Sequence, residues 1–426
     1  MLENRRKRSG RKAALEVVGR QRMLALGEVM LDVRADFMEL LAEGGKAIAA
    51  ALFEEDLGRL CGERYARKAQ GSAKRWGRQR GQVVLGGRKV SLVRPRARQG
   101  DEEVVLPSYV RLQREDPLGE RALEQMLVGV STRNYRRSLE PLAGGLIESA
   151  VDKSSVSRRF VLKTEAQLEA AMKKPLGDEQ WAAVYIDGLH FAEHVVIVVL
   201  GVDASGKKHL LGLREGSTEN ATLCKELLSE LVERGLPADR ALLVVIDGGK
   251  GLRKAVLEVF GQHAVVQRCQ VHKTRNVLDQ LPDAKKPSVR AAMSQAYNAP
   301  THAAALTQLQ NLVRVLARSN RGAADSLREG LEETLTVKRL GLTGALEKSL
   351  RTTNPAENLN GGMRRVSRRV KRWRGGSMVL RWAAASALEA QQHFRRLKGH
   401  KSMPLLLAAL RQLDNTHNND NVRMTA

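Results

Sequence analysis

An α/β core, interrupted by an all-helical insertion and preceded by a mainly helical region with a basic β-hairpin, is the fold class the sequence predicts. Three observations carry it. Ala241-Leu242-Leu243-Val244-Val245-Ile246 is an unbroken apolar run that stops on Asp247 and then on Gly248, Gly249 and Gly251. A run rich in Val and Ile and bounded by glycine fits a central strand covered on both faces, where no alternation is expected. Ala182 to Ile186 has the same form and ends on Asp187-Gly188. Residues 285–348, by contrast, lose every strand-like run and repeat Leu306, Leu309, Val313 and Leu316 at helical spacing.

Charge narrows the function classes. The chain has 426 residues, enough for two or three domains, and 72 Lys plus Arg against 47 Asp plus Glu leave it at +25. An excess of that size points to a polyanionic partner, most simply nucleic acid. It is also unevenly spread: residues 61–100 hold twelve basic residues and one acid, residues 351–400 twelve and two, and residues 181–260 nine and eleven. Basic arms around a near-neutral centre suit chemistry on a bound polyanion. Cys61, Cys224 and Cys269 are far apart and lack a second pair, so neither a disulfide framework nor a complete zinc site is indicated, and a reducing cytoplasm is the expected compartment. No apolar stretch approaches the roughly 20 residues that span a bilayer. Arg5-Arg6-Lys7-Arg8 is followed by no apolar segment, so neither a membrane nor a secretory role is expected.

In chain order, residues 12–65 read as helix, with Leu40, Leu41, Ile48, Leu52 and Leu57 as its inner face. Lys74 to Arg80 is basic, and the runs either side of Gly86-Gly87 form a hairpin signal, closing a first segment at residue 115. Its cations lie along phosphates or protect a solvated edge. Residues 116–178 show helix starts near Pro117, at Ser131-Thr132-Arg133-Asn134-Tyr135 and at Ser154, broken by Gly129, which fits a helix-turn-helix-like DNA-binding unit. The core, 179–284, reads as strands 182–187, 194–202 and 208–213, helix 219–234, strand 241–247, helix 250–260, strand 264–268 and a helix from about 272. Three hairpin-linked strands, then a helical crossover to a fourth, give the ribonuclease-H-like order, in which the first and fourth strands are neighbours and their Asp residues meet. After the insertion, residues 349–400 close the core: Asn354 caps a helix with Pro355 at its first position. Leu359, Met363, Val366, Val370 and Trp373 would share its apolar face, leaving Glu357 and the arginines on the other. Residues 401–426 read as a tail.

Asp187, Asp247 and Glu357 are the candidate catalytic and metal-binding residues. Three carboxylates packed together would repel or protonate, so the set implies Mg²⁺ or Mn²⁺. Two such ions would activate an attacking hydroxyl and stabilise the leaving oxygen at a phosphodiester. Competing readings exist for each acid: Asp-Gly pairs start turns, and Glu357 holds the Glu position of a capping box after Asn354. Asp203-Ala204-Ser205-Gly206 is better read as a hairpin turn, and Gly248-Gly249-Lys250-Gly251 lacks P-loop spacing. His272 and Arg275 open a helix near the site and are placed to contact phosphate.

At this point a family resemblance becomes specific. Asp187-Gly188, Asp247-Gly-Gly-Lys-Gly251, Cys269-Gln-Val-His272-Lys-Thr-Arg-Asn276 and Thr352-Thr-Asn-Pro-Ala-Glu357-Asn358, in that order, resemble the signature of Mutator-family bacterial insertion-sequence transposases. Gly129 to Arg133 and Ser154 to Arg158 resemble that family too. The resemblance implies a DDE transposase catalysing metal-dependent DNA cleavage and strand transfer, with two Mg²⁺ or Mn²⁺ ions on Asp187, Asp247 and Glu357, and with Cys269 and His272 shaping the site or holding DNA. It further implies as partners the element's terminal inverted repeats, target DNA and other copies of the chain, as a homodimer or higher oligomer on a bacterial nucleoid. A DNA-binding regulator, or a nuclease or resolvase on the same scaffold, is the alternative. Residues 66–165 are expected to read sequence. Seven basic residues lie within Arg364 to Arg374, of which Arg364, Arg365, Arg368 and Arg372 are the named candidates; they are too dense for separate base readers and are expected to hold phosphates.

Overall fold

Strand pairing sorts the apolar runs into two sheets. The structure, a computed structural model, describes residues 40, 43–64, 73–85, 88–114, 117–139, 148–149, 151–216, 220–368 and 370–425. The chain divides into two compact units, Met1–Lys163 and Thr164–Ala426.

In the first unit, helix α1 covers residues 43–61. Its inner face is Ala49, Phe53 and Leu57: Leu57 is buried as expected, while Leu40, Ile48 and Leu52 are exposed, so before Leu57 the expected face is corrected by one position, about 100° around the axis. Phe53 sets the stripe because it is the largest apolar side chain of the helix and fills the core with Val83, Ala97 and Leu106. Leu41 lies outside the described residues. Strands β1 (Lys74–Leu85) and β2 (Arg88–Gln99) pair antiparallel, from Lys74 with Arg98 to Leu85 with Arg88, a longer pairing than the apolar runs mark, because the basic segment from Lys74 joins it; Gly86-Gly87 lie outside the described residues. β3 (Glu102–Val104) extends the sheet, followed by α2 (Pro107–Arg114) and α3 (Pro117–Leu127). Gly129, at φ +101°, ends α3: Val130 N–H donates to Gln125 O at 2.7 Å and Gly129 N–H to Met126 O at 3.1 Å. The helix expected from Ser131 does not form. Ser131 Oγ accepts from Asn134 N–H at 3.3 Å, and one 3₁₀ turn, Arg136–Ser138, follows. A side-chain turn thus replaces the second helix of the expected helix-turn-helix-like unit. The two-residue strand β4 (Glu148–Ser149) pairs with β2, and α4 (Lys153–Lys173) follows.

The second unit is built on β5 (Trp181–Phe191), β6 (His194–Asp203), β7 (Lys208–Gly216), β8 (Leu242–Ile246) and β9 (Ala264–Arg268). Their order across the sheet is β7-β6-β5-β8-β9. β5, β6 and β7 are antiparallel, whereas β8 lies parallel to β5 and β9 parallel to β8. Helices α5 (Ala221–Glu233) and α6 (Lys250–Phe260) cover one face over Val184, Ile186, Val244 and Ile246. Asn220 starts α5 by accepting from Leu223 N–H at 2.8 Å. The expected first strand is corrected in length. It runs on past Asp187 to Phe191 because β6 stays in register with it from Ala183 to Phe191, so Asp187 sits inside a strand rather than at its end.

After α7 (Gln270–Asp279), helices α8 (Lys286–Tyr297), α9 (His302–Ser319), α10 (Arg321–Arg328), α11 (Thr336–Arg339) and α12 (Gly344–Leu350) form the insertion. Leu309, Val313 and Leu316 enter its own core, with Leu306 half-buried against it. Helix α13 (Asn354–Ser367) then crosses the other face of the sheet, where Ala356, Leu359 and Met363 pack with Tyr185 and Leu189. Its cap is Thr353, not Asn354, and it ends before Arg368. Val370 and Trp373 therefore do not share its apolar face. Continuing the helix would stack like charges at four-residue spacing, and the non-helical path instead brings Trp373 edge-on to Phe191, ring centroids 5.3 Å apart. α14 (Gly376–Gln392) and α15 (Met403–Thr425) complete that layer. The expected tail is helical, with Met403, Leu406 and Leu410 in the core.

Candidate active site

Three parallel strands deliver their next residues side by side. Ile186 pairs with Ile246 and Ile246 with Arg268, so Asp187, Asp247 and Cys269 follow in a row across the sheet. Cys269 N–H donates to Ile246 O at 2.7 Å, which holds β9 to β8 at this level.

Asp187 is buried on the α13 side of the sheet. Asn360 Nδ2 donates to its Oδ2 at 2.7 Å, while the buried Oδ1 of Asn360 has no partner among the described residues. Burial pushes the Asp187 carboxyl up to about 6; His272 pulls it back, and Asp247 and Glu357 push it up further. Side chains from β5, the β8 end, α7 and α13 thus share one electrostatic environment. Asp247 does begin a turn, since Gly249 N–H donates to its Oδ1 at 2.8 Å and Gly248 takes φ +102°. The turn reading and the site reading describe the same conformation.

Glu357 is no capping-box residue. The N–H of the cap, Thr353, donates to Cys269 Sγ at 3.4 Å, and Thr353 Oγ1 meets Glu357 Oε1 at 3.2 Å and His272 Nδ1 at 3.4 Å. His272 Nε2 stands 3.6 Å from Glu357 Oε1. Hydrogen bonding to Cys269 raises the imidazole to about 9 against the effect of burial, with Asp247 and Asp187 adding to the rise. Burial pushes the Cys269 thiol up, yet hydrogen bonds from His272 and Thr353 outweigh it and leave the thiol below its ordinary range. Cys269 and Thr353 therefore tie the start of α7 to the start of α13, and with it the position of Glu357. Asp203 is a turn residue as expected: its Oδ1 accepts from Ser205 N–H at 2.8 Å and Lys207 N–H at 3.0 Å.

Asp187, Asp247, Glu357 and His272 lie within electrostatic reach of one another, and His272, Cys269, Thr353 and Glu357 are in direct contact. Arg275 is exposed on another side of α7, and Arg364, Arg365, Arg368 and Arg372 are exposed at and beyond the end of α13. Two of those four, Arg368 and Arg372, are off the helix expected to carry them.

The family described as "Transposase, Mutator family" matches residues 22–396. The chain belongs to the Mutator family of transposases. It is 27% identical over 405 residues to the transposase for insertion sequence element ISRM5 of Rhizobium meliloti (strain 1021), covering 92% of this chain and 99% of that one. With the transposase for insertion sequence element IS1081 of Mycobacterium tuberculosis (strain ATCC 25618 / H37Rv) it shares 26% identity over 373 residues, 84% of this chain and 85% of the other. A solved structure, the Drosophila P element transposase strand transfer complex, matches 67% of this chain and 83% of its own at 9% identity and a TM-score of 0.28, too low to carry an argument.

In this Mutator-family transposase, sequence reasoning missed Asn360 and Thr353. Asn360 lies one helical turn after Glu357, and that spacing is the signal that would have found it. The oxygens suited to a divalent cation are those of Asp187, Asp247 and Glu357, with the unpartnered Asn360 Oδ1 beside them; all are hard donors. A buried carboxylate already pushed upward by two others fits the same ligand. Among the described residues no three His, Cys, Asp or Glu side chains stand gathered as on one ion. No helix among the described residues is long and apolar enough to cross a membrane.

Proposed function

We propose that this transposase cuts and joins DNA by a three-carboxylate, metal-dependent mechanism, and that its second unit is a ribonuclease-H-like core. What supports the proposal is that Asp247 and Glu357, from a neighbouring parallel strand's end and a crossing helix, lie within electrostatic reach of the buried Asp187, in a chain with basic flanks. Asp187, Asp247 and Glu357 would hold two Mg²⁺ or Mn²⁺ ions, with Asn360 Oδ1 beside them. When bound, such ions supply an activated oxygen nucleophile and charge stabilisation at the leaving oxygen.

The chain's own residues position these groups. Burial of Asp187 under α13 keeps water from one of its oxygens, and the Asn360 amide fixes its rotamer. Thr353 and His272 together orient Glu357. Arg364, Arg365, Arg368 and Arg372 give the DNA backbone cations next to the helix that carries Glu357, and Arg275 does so from α7. The DNA is that of the element's terminal inverted repeats and of a target, held by a homodimer or higher oligomer.

Purified protein with Mg²⁺ and DNA carrying the element's ends should cut and join. Chelation should stop both. Asp187→Ala, Asp247→Ala and Glu357→Gln should each abolish both while DNA binding survives. Joining at the normal level in all three variants would refute the proposal, and cutting without joining would make the protein a nuclease.

A further inference from the structure

Beside α7, a cavity of 480 Å³ opens between α7, α8 and Arg351-Thr352. That size lies within the range of about 300–1,000 Å³ typical of small-molecule pockets. Its rim is basic: Arg275, Lys286 and Arg290 line it against one acid, Asp279. Lys286 is paired with Asp283 at 2.7 Å, whereas no ion pair engages Arg275 or Arg290 among the described residues. Arg351 forms a fixed wall, donating to Asn298 Oδ1 at 3.1 Å and Tyr297 O at 3.2 Å. Tyr297 and Leu278 supply an apolar floor.

A basic rim alone is most simply a solvated helix face. What sets this one apart is Thr352. It lines the cavity, is 7% exposed, and its Oγ1 is buried with no hydrogen-bond partner among the described residues. A buried hydroxyl left unpaired is destabilising, and a bound polar group would recover that loss. Thr352 also precedes Thr353, the residue that bridges Glu357 and His272. One wall of the cavity is thus covalently continuous with the carboxylate site.

We propose that this cavity is a subsite for one unpaired nucleotide of the DNA strand: its phosphate between Arg275 and Arg290, its base on the Tyr297 and Leu278 floor, and a polar base or sugar atom on Thr352 Oγ1. The arrangement combines two chemistries that a plain phosphate site lacks, an apolar floor and a buried polar group. It would hold a nucleotide near the bond to be cut out of the duplex stack. The proposal rests on the reading that DNA lies at the carboxylates, and its test uses no activity.

The probe is thymidine 3′,5′-bisphosphate, titrated calorimetrically into the full-length protein without divalent metal, with inorganic phosphate and thymidine as comparisons. Because it engages both chemistries, it should bind about tenfold or more tighter than either comparison, and Arg275→Ala with Arg290→Ala should weaken it about tenfold or more, as expected for lost hydrogen bonds to charged groups. Thr352→Val, of nearly equal volume, should weaken the bisphosphate and leave inorganic phosphate unchanged. Asp187→Ala should bind the probe as the unaltered protein does, so that a failure of the cutting mechanism does not touch this result. Binding no tighter than inorganic phosphate, or unchanged in the double arginine variant, or lost in Asp187→Ala, would overturn the assignment. Both arginines are exposed, and an unchanged melting temperature would show that their replacement leaves the fold intact.

Discussion

At the scale of single residues, the site depends on groups that touch the acids rather than on the acids alone. Asn360 holds Asp187 with one end of its amide and leaves the other buried and unpartnered. Asn360→Ala should therefore lower cutting about tenfold or more, in line with loss of a hydrogen bond to a charged group, while the melting temperature moves by only a few degrees. Single-turnover cleavage beside a melting curve checks this; unchanged cleavage would leave the amide a packing role only. Cys269 is a second case. Cys269→Ala strips the Thr353 N–H of its acceptor at the start of α13, and a buried N–H left unpaired costs about 1–3 kcal/mol. Urea unfolding should show that loss, and Cys269→Ser, which keeps an acceptor, should restore part of it.

At the scale of elements, α13 determines whether Glu357 meets the sheet. It is seated by Leu359 and Met363, both fully buried among Tyr185 and Leu189. Met363→Ala should cost about 2–5 kcal/mol in equilibrium unfolding, and activity should fall more than the unfolded fraction explains, because the helix carrying Glu357 shifts with it. The sequence showed this helix and its acid but not its end. Apolar spacing continued through Val370 and Trp373, and only the path that packs Trp373 on Phe191 shows that the chain leaves the helix at Arg368. The strands were legible because burial on both faces leaves unbroken apolar runs. Where burial is one-sided, as in α1, two neighbouring stripes competed and the single Phe53 decided between them. The turn at Ser131 was not legible, since serine and asparagine start helices and side-chain turns by the same hydrogen bond. Of the site, Asp187 and Asp247 could be read from the apolar runs that precede them and Glu357 from its helix start; the bridge through Thr353 joins residues far apart in sequence and needed the fold.

At the scale of the whole molecule, the charge of +25 is arranged as basic segments around a near-neutral core. Replacing Arg364, Arg368 and Arg372 with Ala should weaken specific and random DNA alike and reduce the salt dependence of binding by roughly 0.9 log unit per lost phosphate contact. Binding titrations from low to moderate salt would show it; an unchanged slope would make the run a solvated surface. Removing residues 1–165 should instead erase preference for the element's ends, and a truncated protein that kept its preference would move recognition elsewhere. The claim on which all of this turns is that the carboxylates hold metal. It is tested most directly by replacing one of them with a softer ligand. Thiolate favours softer divalent ions over Mg²⁺, so Asp247→Cys should be inactive in cutting and joining with Mg²⁺ and regain activity with Mn²⁺, while Asp247→Ala stays inactive with either ion. Equal activity of Asp247→Cys with both ions, or activity of Asp247→Ala, would contradict the account.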